Sequence, residues 1–297
     1  MPKFGVSIYS ISRQLISGQM TPEQGVEWLC NNGAEVIEIV PIGINLPEDK
    51  ALAGRMKAVS DKHGVAIDNY SFGADFLLKT DTEFAAEVER AKIHIDIAKE
   101  FGASTARSDC AGFERTAEQN TIEKFLEELP AMIKAYKTLS EYAASLGVKL
   151  MIENHGFHAN GSDRVRLILN GVGSENFGHQ LDVGNYICVD DKPEAVVNKM
   201  LPFATTVHMK DFYVRQRDPG DTEGYSCSEA WFRSSPGGQY LRGAIFGQGD
   251  LDTRSLVKSV KDYGFDGNIF IEYEGIEDCL YGTKVSLDNL KRIYSEV

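Results

Sequence analysis

The feature that most constrains the fold of this chain is a regular alternation between short apolar runs and longer helical segments. The runs are predicted to form eight strands, at Lys3–Tyr9, Val36–Val40, Val65–Tyr70, Ala103–Arg107, Lys149–Asn154, Phe177–Asp182, Ala204–Lys210 and Asn268–Tyr273. Eight strand and helix pairs are the number at which a parallel sheet closes on itself. The sequence therefore predicts an α/β fold, a (β/α)8 TIM barrel.

Helix signals fill the segments between the predicted strands. A capping box with proline at the first helical position starts a helix at Thr21–Gln24, and an amphipathic pattern predicts a long helix over Glu83–Phe101. A helix over Thr121–Leu146 has a potential break at Pro130, and a last helix covers Leu287–Val297. An open, doubly wound sheet is the alternative fold, but the first strand is not followed by the glycine-rich phosphate turn typical of that fold.

One segment departs from the regular spacing. Residues 212–247 lie between the seventh predicted strand and its helix, and they exceed the roughly 15 residues expected of a structureless loop. The segment contains the aromatic residues Tyr213, Tyr225, Trp231, Phe232 and Tyr240. We therefore interpret residues 1–297 as one barrel domain with a lid at about 212–247, on the rim where barrel enzymes place their active sites.

Composition and charge limit the cellular compartment and the partners expected of the protein. No apolar run approaches the roughly 18 residues of a membrane span, and the first residues lack the basic and apolar regions of a signal peptide. A cytoplasmic protein without a membrane segment is therefore expected. The five cysteines are scattered and form no CxxC pair, which indicates reduced thiols. The formal charge of −13 disfavours nucleic acid as a partner.

Four of the predicted strands end in side chains that can bind a metal ion. Strands five to eight deliver Glu153, Asp182, His208 and Glu272 to their carboxyl ends, which are neighbours on one rim of a barrel. Three carboxylates in one pocket repel each other unless a cation lies among them, and a divalent metal ion meets that need. A set of three oxygen ligands and one imidazole favours Mn²⁺ first, with Mg²⁺, Co²⁺ and Zn²⁺ as alternatives.

Other polar residues near these strand ends are candidates for substrate binding. His155 is expected to face the metal site, where it would bind a substrate oxygen, shuttle a proton or orient a ligand. Lys210 would bind a substrate oxygen or pair with an acid of the pocket, and Arg215 would bind a polar part of the substrate or face solvent. Glu38 and Arg107, at the ends of the second and fourth strands, belong either to the site or to ion pairs of the barrel core.

The sequences IENH, QLDVGN, VHMKD, IEYEG and YLRGAIFGQGD resemble those of the xylose isomerase-like barrel superfamily of sugar and sugar phosphate isomerases, epimerases and related lyases. The resemblance implies that Glu153, Asp182, His208 and Glu272 bind one divalent metal ion. It also implies that Glu153 and Glu272 are catalytic and move a proton next to a substrate carbonyl through an enediolate.

The expected function is a metal-dependent isomerase or epimerase of a ketose or keto-glycoside, with a small sugar or glycoside as its partner. The alternative is a lyase or dehydratase at the same site, similar to inosose dehydratases or to deglycosidase subunits that cleave 3-keto glycosides. An endonuclease IV-like repair enzyme is disfavoured by the acidic charge. A non-catalytic partner subunit is disfavoured by the complete ligand set, and both a homo-oligomer and a hetero-oligomer stay open.

Overall fold

Eight parallel strands form a closed barrel in the part of the chain that the computed structural model describes, residues 1–49, 51–77, 80–113, 115–222, 230–234 and 238–297. The barrel strands are β1 (Phe4–Ser7), β2 (Val36–Ile39), β3 (Ala66–Phe72), β4 (Thr105–Ser108), β5 (Lys149–Glu153), β6 (Phe177–Asp182), β7 (Ala204–Met209) and β11 (Ile269–Ile271). The first strand pairs in parallel with both β2 and β11, which closes the sheet. The predicted TIM barrel is confirmed.

The helices follow the strands as the sequence pattern predicts. Those in the described part of the chain are α1 (Ser12–Ile16), α2 (Pro22–Asn31), α3 (Leu52–His63), α4 (Asp81–Phe101), α5 (Ile122–Ser145), α6 (Ser162–Val172), α7 (Pro193–Met200), α8 (Thr253–Asp262) and α9 (Cys279–Glu296). The capping box predicted at Thr21–Gln24 is present. The last helix begins at Cys279 rather than at Leu287, because the Asp278 side chain caps it by accepting a hydrogen bond from the backbone N–H of Tyr281 at 2.8 Å.

The helix α5 continues through Pro130, where the sequence allowed a break. Proline removes the N–H that would bond the carbonyl group four residues earlier, which belongs to Leu126. Both Pro130 and Leu126 are exposed, so water can bond that carbonyl group and the helix need not end there.

The apolar core lies between the barrel and its helices. Every residue of β2 and β6 is buried, and each helix from α2 to α9 contributes buried apolar side chains. Burial on both faces explains why barrel strands such as β5 and β11 read as apolar runs in the sequence. None of the described helices combines the length and the apolar character that crossing a membrane requires.

The segment predicted to be a lid contains a small antiparallel sheet. Its strands are β8 (Asp211–Arg215), β9 (Phe232–Arg233) and β10 (Tyr240–Ala244), with β10 in the middle. The first of them follows β7 after a single residue, so the sheet extends directly from a barrel strand. Tyr225 lies outside the described residues, and the lid role itself stays a prediction.

The side chain of Asp211 anchors this insertion to the segment that follows it. Its carboxylate accepts hydrogen bonds from the backbone N–H groups of Phe212, Gly247, Gly249 and Leu251, at 2.8 to 3.4 Å. A Cβ atom at Gly249 would lie 2.3 Å from the Asp211 carboxylate, so glycine is required for this close approach. The glycine-rich segment after β10 therefore binds the Asp211 carboxylate through its backbone N–H groups.

Candidate metal centre

The structure brings the four predicted ligands together at the carboxyl ends of their strands. Glu153 ends β5, Asp182 ends β6, His208 lies in β7 and Glu272 directly follows β11. One donor atom of each side chain lies within 4.8 Å of the other three. Glu153, Asp182 and His208 are each at most 3% exposed, so most of the cluster is buried.

The spacing of the donor atoms fits a divalent metal ion. His208 Nδ1 lies 3.5 Å from a carboxylate oxygen of Glu153, 3.8 Å from one of Glu272 and 3.9 Å from one of Asp182. Neighbouring and opposite ligands of an octahedral ion with bonds of about 2.1 Å lie about 3.0 and 4.2 Å apart. His208 Nδ1 and Asp182 Oδ2 are also buried without a hydrogen-bond partner among the described residues, as atoms of a metal site would be.

His208 is oriented by a buried carboxylate on the opposite side of its ring. Its Nε2 lies 3.0 Å from Glu38 Oε2, which also accepts hydrogen bonds from Asn69 Nδ2 and Ser71 Oγ. This contact directs Nδ1 toward the other three ligands. Burial lowers the pKa of His208, but Glu38 and Glu272 raise it well above its usual value.

Asp182 is held by the turn that follows its strand. Its Oδ1 accepts hydrogen bonds from the backbone N–H groups of Gly184 and Asn185, both at 2.8 Å. The side chain of Asn154 bonds the backbone N–H and C=O of Asp182 at 2.9 and 2.8 Å. Because Oδ1 is occupied in this way, Oδ2 is the oxygen left for a metal ion.

Two buried cations balance the carboxylates. Lys210 Nζ lies 2.5 Å from a carboxylate oxygen of Glu272 and 2.8 Å from one of Glu274, and Arg107 contacts Glu153. Burial raises the pKa of Glu153 to about 7 despite Arg107. Burial also acts to raise the pKa of Glu272, but Lys210 and His208 hold it well below its usual value. The two glutamates therefore lie in different electrostatic environments.

Of the three predicted substrate-binding residues, two line the cavity and one does not. His155 and Lys210 line the cavity above the four ligands, and His155 Nδ1 lies 2.8 Å from Asp109 Oδ1. The structure does not bring Arg215 to this cavity, because its guanidinium pairs with Asp250 at 2.7 Å and is half-exposed. Arg233, on the inserted sheet, lines the cavity instead.

The cavity has a polar floor and largely aromatic walls. Its volume is about 510 Å³, within the range of pockets that enclose small organic ligands. The aromatic lining residues are Tyr9, Phe72, Phe113, Phe157, Phe212 and Phe232.

Sequence reasoning missed Asp109, Asn185 and Arg233, which also line the cavity. Asp109 had a usable signal because it follows Arg107 by two residues just after a predicted strand, and Asn185 had one because it ends the sequence QLDVGN.

Comparisons with known proteins agree with this architecture. A model of the family described as xylose isomerase-like TIM barrel matches residues 26–293. No curated protein sequence matches the chain at a significant level.

Solved structures share the fold at low sequence identity. A D-psicose 3-epimerase in the presence of D-fructose has a TM-score of 0.72 and 12% identity, over 98% of this chain and 99% of that one. A 3-keto-D-glucoside 4-epimerase from E. coli has a TM-score of 0.71 and 12% identity, over 98% and 100%. A probable 3-DHS dehydratase from Bacillus anthracis has a TM-score of 0.71 and 17% identity, over 98% and 99%.

Proposed function

The chain belongs to the family of xylose isomerase-like TIM barrels, and we propose that it is a divalent-metal-dependent isomerase or epimerase of a ketose or keto-glycoside. The observation that carries this proposal is the cluster of Glu153, Asp182, His208 and Glu272, of which Glu153, His208 and Glu272 line a cavity. Mn²⁺ is the first candidate ion because the set has three oxygen donors and one imidazole, and Mg²⁺, Co²⁺ and Zn²⁺ are alternatives. The epimerases that share the fold support a sugar substrate.

The proposed chemistry is proton transfer at the carbon next to a carbonyl group. A bound divalent ion would supply Lewis-acid stabilisation of the negative charge that develops on the substrate oxygen. Glu153 and Glu272 have their carboxylates at the cavity floor, and we assign them to removal and return of the proton. The distances of 3.5 and 3.8 Å from these carboxylates to His208 Nδ1 support action on one bound substrate.

Lys210 and His155 would support these glutamates and bind substrate oxygens. Lys210 holds Glu272 and Glu274 in fixed positions through its two ion pairs. His155 Nδ1 lies 2.8 Å from both Asp109 Oδ1 and Arg107 Nη2, which leaves Nε2 as the ring nitrogen for a substrate oxygen or a proton.

The proposal is tested by hydrogen exchange with solvent. Metal-loaded protein in deuterated water, given a panel of ketoses and 3-keto glycosides, is expected to incorporate deuterium next to the carbonyl of its substrate. Glu153→Gln and Glu272→Gln are expected to lower the exchange rate by about 10² or more. Glu128→Gln is the matched control, because Glu128 pairs with Arg115 at 2.7 Å outside the cavity. A folded, metal-loaded protein that exchanges no proton of any substrate would contradict the proposal.

The same experiment addresses the lyase or dehydratase alternative. The fold shared with a probable dehydratase keeps this reaction class open. An epimerase returns the proton and gives a product with all of its substituents, whereas a lyase releases a leaving group and gives an unsaturated product. Chromatography and mass spectrometry of the products distinguish the two reactions.

A further inference from the structure

The two carboxylate oxygens of Glu153 face two different cation positions. Its Oε1 faces His208 Nδ1 at 3.5 Å, in the proposed metal centre, and its Oε2 contacts Arg107. A carboxylate that uses its oxygens in this way resembles the bridging ligand of a centre with two metal ions, which lie about 3.5 to 4 Å apart. In this protein, the Arg107 side chain fills one of these two cation positions.

The surroundings of the Arg107 guanidinium are those of a metal ion. Its Nη2 contacts Glu153, lies 2.9 Å from Asp109 Oδ1 and lies 2.8 Å from His155 Nδ1. Two carboxylates and one imidazole are a common ligand set for divalent ions. The Arg107 side chain is 7% exposed and lines the cavity beside the four ligands.

We propose that Arg107 is a built-in cation that occupies the place of a second metal ion and restricts the centre to one. This inference rests on the proposed function, because it assumes that the four ligands bind an ion. Arginine suits the role because its charge is permanent and its fork of N–H donors bonds carboxylates directionally. Arg107 is thus a positioning residue that fixes one Glu153 oxygen and leaves the other for the metal.

The test is the number of ions bound by charge-removing and charge-keeping variants. Wild type, Arg107→Met and Arg107→Lys are loaded with excess Mn²⁺, freed of unbound ion by gel filtration, and analysed by elemental mass spectrometry and electron paramagnetic resonance. We expect one ion per chain in wild type and Arg107→Lys. We expect two in Arg107→Met, with the spectrum of a coupled Mn²⁺ pair. Adding Asp109→Asn to Arg107→Met removes a ligand and is expected to restore one ion.

The outcomes separate this inference from the proposed function. Wild type that binds no ion refutes the proposed metal centre and the inference together. One ion in both wild type and folded Arg107→Met refutes the inference and leaves the proposed function intact. Two ions in wild type at millimolar Mn²⁺ also refute the inference, with no variant needed. Arg107→Gln removes the charge but keeps hydrogen-bond donors, and it repeats the test if Arg107→Met does not fold.

Discussion

At the scale of single residues, the proposed metal centre depends on residues outside the four predicted ligands. Glu38 is fully buried and contacts His208 Nε2 at 3.0 Å, so it decides which ring nitrogen faces the other ligands. The Asn154 side chain accepts a hydrogen bond from the backbone N–H of Asp182, and the backbone N–H of Asn185 donates to Asp182 Oδ1, so both hold Asp182 in place. Partners of this kind contribute to metal affinity because a ligand that is already oriented loses less entropy on binding.

Glu38→Gln is expected to weaken metal binding by about 10- to 100-fold while leaving the fold intact. The amide keeps an acceptor for His208 but removes the negative charge that makes the imidazole a stronger ligand. Titration of the apo-protein with Mn²⁺ measures the change. Glu128→Gln is again the control, since it also neutralises a paired glutamate. Equal affinities of Glu38→Gln and wild type would show that the negative charge of Glu38 does not strengthen His208 as a metal ligand.

The sequence predicted that Glu153, Asp182, His208 and Glu272 come together because each lies at or next to the end of a barrel strand, where geometry leaves little freedom. Arg233 and Phe113 could not be placed in the same way. Arg233 reaches the cavity through a pairing of β9 with β10, and Phe113 lies in the loop after β4. Positions in such loops depend on contacts between residues distant in sequence, which a single sequence does not reveal.

At the scale of elements, the insertion is organised by one carboxylate. Asp211→Asn is expected to lower the free energy of unfolding by roughly 1 to 3 kcal/mol, because an amide NH₂ would face N–H groups that now donate to Asp211. Thermal unfolding measures this as a fall in Tm of several degrees. Asp288→Asn, which breaks an exposed pair with Lys284, is expected to change Tm very little. Similar losses in both variants would contradict the anchoring role.

Most strands and helices were predicted near their observed ends, but the inserted sheet was not. Its strand β8 pairs with β10, and the two are separated by a long segment, so no local pattern marks them as partners. The two residues of β9 are too few to show an alternation. In contrast, barrel strands such as β5 and β11 are buried on both faces, which marks each of them as an apolar run.

At the scale of the whole molecule, buried histidines link stability to pH. His94 is 6% exposed, with Nδ1 2.8 Å from the Tyr70 hydroxyl and Nε2 2.9 Å from Arg90. Burial and the Arg90 charge lower the pKa of His94 to about 4. Burial likewise lowers the pKa of His179 to about 4. As pH falls, these histidines bind protons near pH 6.5 in the unfolded chain but only near pH 4 in the folded protein. Stability is therefore lost as pH falls from about 6.5 toward 4.

Urea unfolding between pH 7 and pH 4.5 tests this link. His94 alone is expected to lower the free energy of unfolding of wild type by about 2 kcal/mol over this range, because its pKa is about 4 in the folded protein and about 6.5 in the unfolded chain. His94→Gln is expected to lose that part of the pH dependence and to keep the part due to His179. His63→Gln, at an exposed helix position, serves as the control. An unchanged pH dependence in His94→Gln would exclude His94 as a contributor.

The contact between Glu38 and His208 joins residues 170 positions apart in the sequence. All four predicted ligands come from the second half of the chain, whereas Glu38 and Arg107 come from the first half. A folding intermediate in which the two halves have not met would hold the ligands without the groups that orient them. A divalent ion would therefore bind the closed barrel more tightly than this intermediate, and by mass action it would favour the final step of folding.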